Sequence, residues 1–325
     1  MKFRSRRRYA LAKSDDPRLM VKTAKLYCLE GLNQEAIAIR FRTSRPTVSR
    51  LLAQARESGL VSITIHEPQG QYPDLEGRLE KRFNLTEAIV VESGESEAET
   101  LKDIGRGAAD FLGRTVRSGD RIGVSWGRTI REVVNALQGT RPVQVTVFPL
   151  VGGVGQIDPE IHSNQLAIDL AKAFGGGFHL FHAPAVVGSR QLKEAIVSDP
   201  NTGEILERAR SVNLAIVGIG APIQSSTIVQ TGYFRIEEVS AIKACRAVGD
   251  ICSQFYDPDG RKCDLEINER TIGIDLNELR DLGTVVGVAG GRDKVSSILG
   301  ALRGGYLDVL VTDKQTAEQV LEGDG

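Results

Sequence analysis

Apolar residues near the start of the chain recur at helical spacing. Leu19, Met20, Thr23, Ala24, Leu26 and Tyr27 share one face of a helix that Gly31 stops. Asn33 is placed to cap a second, short helix from Gln34 to Phe41, with Ala36, Ile37 and Phe41 turned inward. Arg42-Thr43 makes a tight turn, and Ser44 caps a third helix with Pro46 in its first turn, where a missing N–H costs nothing. Val48, Leu51 and Leu52 form the apolar stripe of that helix, and Gly59 ends it. Residues 60–65 then alternate as a short strand, and 66–73 read as a linker rich in Pro, Gly and polar residues. Leu75, Leu79 and Phe83, four apart, predict an amphipathic helix leading into the rest of the chain.

From about residue 86 the pattern changes to short apolar runs alternating with helical stretches. That alternation predicts an α/β domain with a mostly parallel sheet. The expected strands are Ala88–Val91, Arg121–Ser125, Val143–Leu150, Phe178–Phe181, Leu214–Val217, Thr284–Val288 and Leu307–Val311. The organisation expected is therefore a helical domain over 1–66, a linker helix over 67–85 and an α/β domain over 86–325.

Two helices joined by a short turn, the second opening on small polar and basic residues, make a helix-turn-helix pattern. Small Ala38 lets the helices approach, and Val48 and Leu51 turn the second helix onto the first. Arg45, Thr47, Ser49 and Arg50 are left on the outer face, where Arg can bond guanine edges and Ser or Thr can bond phosphates or base edges. Asn33, Gln34 and Ser44, at the two helix starts, complete the candidate DNA-contacting set. Arg42 departs from the pattern, since such turns commonly carry Gly.

Charge supports this division. The 325 residues carry a formal net charge of -1, but residues 1–60 hold 14 Lys+Arg against 5 Asp+Glu, so the remainder is strongly acidic. A basic end on an acidic body points to a polyanion partner for the first segment alone. No apolar run approaches the ~18 residues of a membrane span, and no apolar segment follows the basic Met1–Arg8 as a secretory leader would require. Cys28, Cys245, Cys252 and Cys263 show no C-x-x-C pairing, so reduced cytoplasmic thiols are expected rather than disulfides or a zinc ribbon. His162, His179 and His182 lack metal-ligand spacing, and neither a metal nor a cofactor is expected.

Strands repeatedly run into glycine-bearing loops: "GVSWGRT" (123–129), "LVGGVG" (150–155), "VGIGAP" (217–222) and "GVAGGRDK" (287–294). Loops beyond the carboxyl ends of parallel strands can cradle an anion with backbone N–H groups. None has the full dinucleotide register or the P-loop spacing. Together they suggest a phosphate or sugar-phosphate pocket.

The segment "SRPTVSRLLAQARESGLVSITI" resembles the DNA-binding domain of the SorC family of bacterial sugar-responsive transcriptional regulators. "GVSWGRT", "PLVGGVG", "HSNQLAIDLA", "IVGIGAP", "AVGDICSQFYDPDG" and "GVAGGRDKVSSILGALRGGYLDVLVTD" resemble, in order, its sugar-binding domain. The resemblance implies a Rossmann-like α/β fold similar to sugar-phosphate isomerases and glucosamine-6-phosphate deaminases, with the pocket holding an effector instead of turning it over. It also implies a homo-oligomer, usually a tetramer, on a long palindromic operator. Residue by residue, it implies effector contacts from Ser125, Trp126, Gly127, Arg128 and Thr129, and a second wall at Gly152 and Gly153 with Asn164 or Gln165 reaching in. It adds Gly220 to the site, Asp250 and Asp257 as acceptors for sugar hydroxyls, and Lys294, with Arg292 beside it, for a phosphate. Asp257-Pro258-Asp259-Gly260 is equally an ordinary turn sequence. The other class weighed is a sugar-phosphate isomerase or deaminase carrying a helical arm; a capped basic helix-turn-helix has no use in such an enzyme.

Overall fold

In the computed structural model the chain divides into two compact units, 1–66 and 67–325. The structure describes residues 16–62, 72–137, 142–155, 158–222 and 236–324.

The first unit holds α1 (Pro17–Cys28), α2 (Gln34–Phe41) and α3 (Arg45–Glu57). Each begins on a side-chain cap: Asp16 accepts from the Arg18 N–H at 2.9 Å, Asn33 from Ala36 at 2.8 Å and Ser44 from Thr47 at 3.4 Å. Ala24, Leu26, Ile37, Ala38, Phe41, Val48 and Leu52 form one buried cluster; Met20, Leu51 and Ala55 form another. The inward face of α2 is Ile37, Ala38 and Phe41; Ala36 is only half-buried, and Tyr27 at the end of α1 is exposed. Arg42 takes φ 50°, the left-handed conformation for which such turns favour Gly, so a backbone cost of roughly 1–2 kcal/mol is carried there. Leu60–Ser62 are not strand, and the rest of the strand expected over 60–65 lies outside the described residues, as does Met1–Arg8.

The second unit opens with α4 (Pro73–Phe83), β1 (Glu87–Val91), α5 (Glu97–Thr115), β2 (Arg121–Val124) and α6 (Arg128–Ala136). It continues through β3 (Thr146–Pro149), α7 (Ser163–Phe174), β4 (Gly177–Phe178), α8 (Arg190–Val197), α9 (Pro200–Arg210) and β5 (Leu214–Gly218). After α10 (Ile236–Ala244) come the hairpin β6 (Gly249–Ile251) and β7 (Gln254–Tyr256), then α11 (Glu266–Glu269) and α12 (Leu276–Arg280). β8 (Thr284–Val288), α13 (Val295–Arg303), β9 (Val309–Asp313) and α14 (Lys314–Glu322) complete the chain.

Seven parallel strands form one sheet in the order β1-β9-β8-β5-β2-β3-β4. Its inner strands are buried on both faces and therefore read as continuous apolar runs, whereas both residues of the edge strand β4 are exposed. Along β5, Leu214 and Ile216 face a core shared with Ile104, Leu112, Ile130, Val133, Leu166 and Leu170 of α5, α6 and α7. Ala215 and Val217 face the opposite core, with Leu75, Leu79, Ile298, Leu302, Ala317 and Val320 of α4, α13 and α14. Each fully buried Leu or Ile contributes roughly 1.5–3 kcal/mol, so two such layers hold the sheet between helices in a Rossmann-like α/β sandwich.

The helix expected to act as a linker within 67–85 belongs to this sandwich. Leu75 and Leu79 of α4 enter the core, and Glu76 and Glu80, one turn apart, accept the N–H groups of Val90 (2.9 Å) and Ala88 (3.0 Å). β1 is an edge strand, and these carboxylates cover donors that would otherwise be left open. Two strands are shorter than the apolar runs suggest: β3 begins only at Thr146, and β4 ends at Phe178 as the chain leaves the sheet edge. The hairpin of β6 and β7 escapes sequence reading because its two-residue turn is Cys252-Ser253 (φ 51° and 62°), not the Asn-Gly that signals a type I′ turn.

Candidate functional site

From β2 the chain steps outward through β3 and β4 to one edge, whereas β5, β8, β9 and β1 occupy the other side of β2. The order reverses between β2 and β5, and the carboxyl ends of parallel strands at such a reversal leave a crevice. A pocket of about 690 Å³, counting its open mouth, lies there. It is lined by Ser125–Ile130 after β2, Gly218–Gly220 after β5, Gly290 and Lys294 after β8, Glu97 and Leu101 of α5, and Asp250 and Cys252 of the hairpin.

Ser125 is buried and ties the two central loops together: its Oγ accepts the Gly218 N–H at 3.0 Å. Gly127, at φ 127°, brings the chain into α6 with no side-chain cap. The first-turn N–H groups of Arg128, Thr129 and Ile130 therefore lack intrahelical acceptors and lie along the pocket wall, at the positive end of the helix dipole. Arg128 is exposed and pairs with Glu97 at 3.0 Å. Trp126 is largely buried and forms part of the core as well as the wall.

Asp250 is 3% exposed, and its Oδ1 has no hydrogen-bond partner. Burial pushes its carboxyl up to about 6, against the opposing pull of the Lys294 charge and the Ser253 N–H. Lys294 is itself pushed below the usual lysine range by burial, partly offset by Asp250. The two attract across the pocket without bonding. Gly220 exchanges both backbone hydrogen bonds with Asp250 (2.8 and 3.2 Å), and a Cβ at Gly220 would lie 1.8 Å from Asp250 Oδ1. The glycine is what admits the carboxylate.

The expected residues Ser125, Trp126, Gly127, Arg128, Thr129, Gly220, Asp250 and Lys294 are thus brought together, while six others are not. Gly152 and Gly153 lie against the segment 183–185: a Cβ on Gly152 would meet the Ala183 carbonyl at 2.5 Å, and Gly153 donates to that carbonyl at 2.8 Å. Asn164 spends its amide on Phe181, accepting from its N–H (2.8 Å) and donating to its carbonyl (3.1 Å). Gln165 donates to Asp169 at 2.9 Å. Asp257 accepts the N–H groups of Asp259 (3.0 Å) and Arg261 (2.8 Å) on Oδ1, as the turn reading has it, and does not line the pocket. Arg292 is exposed, outside the pocket lining. Conversely, Glu97, Leu101 and Cys252 line the pocket unforeseen; Cys252 could have been reached by following the wall two residues past Asp250, but nothing in the sequence marks the α5 pair.

In the first unit, Arg45, Ser49 and Arg50 are exposed while Val48 and Leu51 between them are buried, so one helix face is presented outward. Thr47 is half-buried, its hydroxyl 2.9 Å from that of Ser44. Asn33 and Ser44 each use an oxygen in capping, which leaves the Asn33 amide N–H groups as donors, while the Ser44 and Thr47 hydroxyls share one hydrogen bond. Gln34 is half-buried at the start of α2. Among the described residues no group of His, Cys, Asp or Glu could hold a metal ion, and no helix is long and apolar enough to cross a membrane.

A helix-turn-helix unit joined in one chain to an α/β ligand pocket defines a transcriptional regulator that answers to a small molecule. The Sugar-bind family model ("Putative sugar-binding domain") matches residues 67–322. The chain is 36% identical over 312 residues to the sorbitol operon regulator of Klebsiella pneumoniae (95% of this chain, 99% of that one). It is 36% identical over 304 residues to the deoxyribonucleoside regulator of Bacillus subtilis (93% and 97%). The crystal structure of the full-length sorbitol operon regulator SorC matches with a TM-score of 0.74 over 94% of this chain and 99% of that chain. The chain belongs to the SorC family of sugar-responsive transcriptional regulators.

Proposed function

We propose that the effector is a phosphorylated sugar or polyol lying across the pocket between two chemically distinct ends. Its phosphate meets the uncapped start of α6 and the Lys294 ammonium; its hydroxyls donate to Asp250. The observation that supports this reading is the orphaned, buried Asp250 Oδ1 in the wall of a pocket that Lys294 also lines, a cation Asp250 attracts but does not bond. Each group is short of a partner that a ligand bearing both hydroxyls and an anion would supply.

In this reading the ligand is held and not turned over, and the protein works in the cytoplasm as a homo-oligomer, a tetramer, on palindromic operator DNA. Arg45, Thr47, Ser49 and Arg50 read the major groove from the start of α3, with Asn33, Gln34 and Ser44 donating to phosphates. Operator affinity responds because the effector binds two states of the regulator unequally; equal affinity would shift nothing. The names of the relatives make sorbitol and deoxyribose, each with and without phosphate, the first pairs to titrate.

Calorimetry of those pairs tests the assignment. Lys294→Ala should weaken the phosphorylated member by about 1.5–3 kcal/mol, the worth of a charge-assisted bond, and leave the unphosphorylated member nearly unchanged. Asp250→Asn should weaken both. Equal loss of both members in Lys294→Ala, or loss of neither, overturns the phosphate assignment.

A further inference from the structure

Asp313, at the carboxyl end of β9, is 2% exposed and is not part of the pocket lining. One hydrogen bond would suffice for it to cap α14, and the Thr316 N–H supplies that bond to Oδ1 at 3.1 Å. The carboxylate takes three more. Ser93 Oγ donates to Oδ1 at 2.8 Å, Thr316 Oγ1 donates to Oδ2 at 2.5 Å, and the Gly291 N–H donates to Oδ2 at 2.9 Å. That Gly291 N–H is shared with Thr316 Oγ1 at 2.8 Å. A Cβ on neighbouring Gly290 would lie 2.3 Å from Asp313 Oδ2, so the loop after β8 is pressed directly onto the carboxylate.

Gly291, at φ 98°, then accepts the Lys294 N–H on its carbonyl at 2.9 Å. Two hydrogen bonds through one residue thus connect the Asp313 carboxylate to the backbone of the pocket's lysine. Two consecutive glycines give that loop many alternative conformations, and without an anchor the lysine would be loosely placed. The same carboxylate, through Ser93, fastens the loop before α5, whose Glu97 pairs with Arg128 at the pocket mouth. Burial would raise the Asp313 carboxyl, but the hydrogen bonds from Thr316, Ser93 and Gly291 prevail and hold it below the usual carboxylate range, so it stays charged.

We propose that Asp313 is a positioning residue of the effector site: it locks the Gly290-Gly291 loop so that the Lys294 ammonium meets the phosphate. The proposal rests on the reading of the pocket as a phosphate site. Its test is a double-mutant cycle on the full chain, with inorganic phosphate and sorbitol 6-phosphate as probes and affinity read by calorimetry or ligand-induced thermal shift. Asp313→Asn should weaken both probes about tenfold in the wild-type background and hardly at all when Lys294 is already Ala, because the residue acts through the lysine. Thr316→Val, which removes one bond to Asp313 and the shared acceptor of Gly291, is the second variant should Asp313→Asn fail to fold; it should give the same dependence on Lys294. A purely structural role would lower the melting temperature and affect affinity equally in both backgrounds, and that equality overturns the proposal. If Lys294→Ala weakens the probes and neither Asp313→Asn nor Thr316→Val does, the positioning role alone is wrong. A wild type that binds neither probe removes the phosphate reading and the positioning role with it.

Discussion

Replacing Asp250 with Asn should stabilise the ligand-free protein at neutral pH while it weakens effector binding. Burial lifts the carboxyl from 3.8 to about 6, the pull of Lys294 and of the Ser253 N–H already included. Below about 4 the group is protonated in both the folded and unfolded chains and costs nothing. Between about 4 and 6 the unfolded chain loses its proton more readily, so stability falls as pH rises; above about 6 the cost is complete. A rise of this size corresponds to about 3 kcal/mol. Asn has nearly the same shape and keeps an acceptor for Ser253, so the variant should approach that gain near pH 7 and show almost none near pH 4. Trp126 is the only tryptophan and stands in the pocket wall, so its fluorescence during urea unfolding follows the α/β unit alone. Midpoints for both proteins across this pH range give the comparison. Curves that stay parallel, or a gap that widens toward acid, would refute the claim that Asp250 is an ionised, uncompensated carboxylate.

Arg45→Ala and Arg50→Ala should each cost about 1–3 kcal/mol in operator affinity where a base contact is lost; where a phosphate contact is lost, the salt dependence should flatten instead. Gel shifts at two salt concentrations separate the cases, and effector affinity should not move. Gly220→Ala should lose about 1–3 kcal/mol of stability to overpacking and weaken the effector too, because the added carbon must displace the Asp250 carboxylate; thermal melts with and without ligand read both. Asp257→Asn should leave effector affinity unchanged, since both bonds of that carboxylate stay within its own turn; a clear loss by calorimetry would return it to the site.

What the sequence disclosed depended on whether the cause was local. The caps at Asn33 and Ser44 and the buried stripe of α3 are set by residues within a turn or two, and each is legible. The family resemblance points to Asp250 and Lys294, and the pocket wall contains both. A polar side chain beside a loop can serve a ligand or the backbone, and only the fold shows that Asn164 reaches Phe181 and that Asp257 bonds within its own turn. The Cys252-Ser253 turn hid the hairpin, and the glutamates that attach α4 to β1 answer to an edge that exists only once the sheet is assembled. The bonds of Asp313 to Ser93 and Gly291 span 220 and 22 residues of chain, beyond any local pattern.

The same distinction bears on how such a pocket can act as a switch. Asp250 and Lys294 each carry a burial cost, and each is pushed toward its neutral form. Moved together as an ion pair, they would offset much of that cost and leave little for a ligand to gain. Held apart, with Gly220 packed against the carboxylate and the Gly291 loop bonded to Asp313, each keeps its burial cost. In the proposed reading a ligand that bridges the two groups offsets that burial cost, and does so only in the conformation that keeps both ends in place. A ligand lacking either the anion or the hydroxyls offsets half of it and discriminates less between conformations. The regulator should therefore respond to the intact sugar phosphate more strongly than to the two halves, free sugar and inorganic phosphate, supplied together.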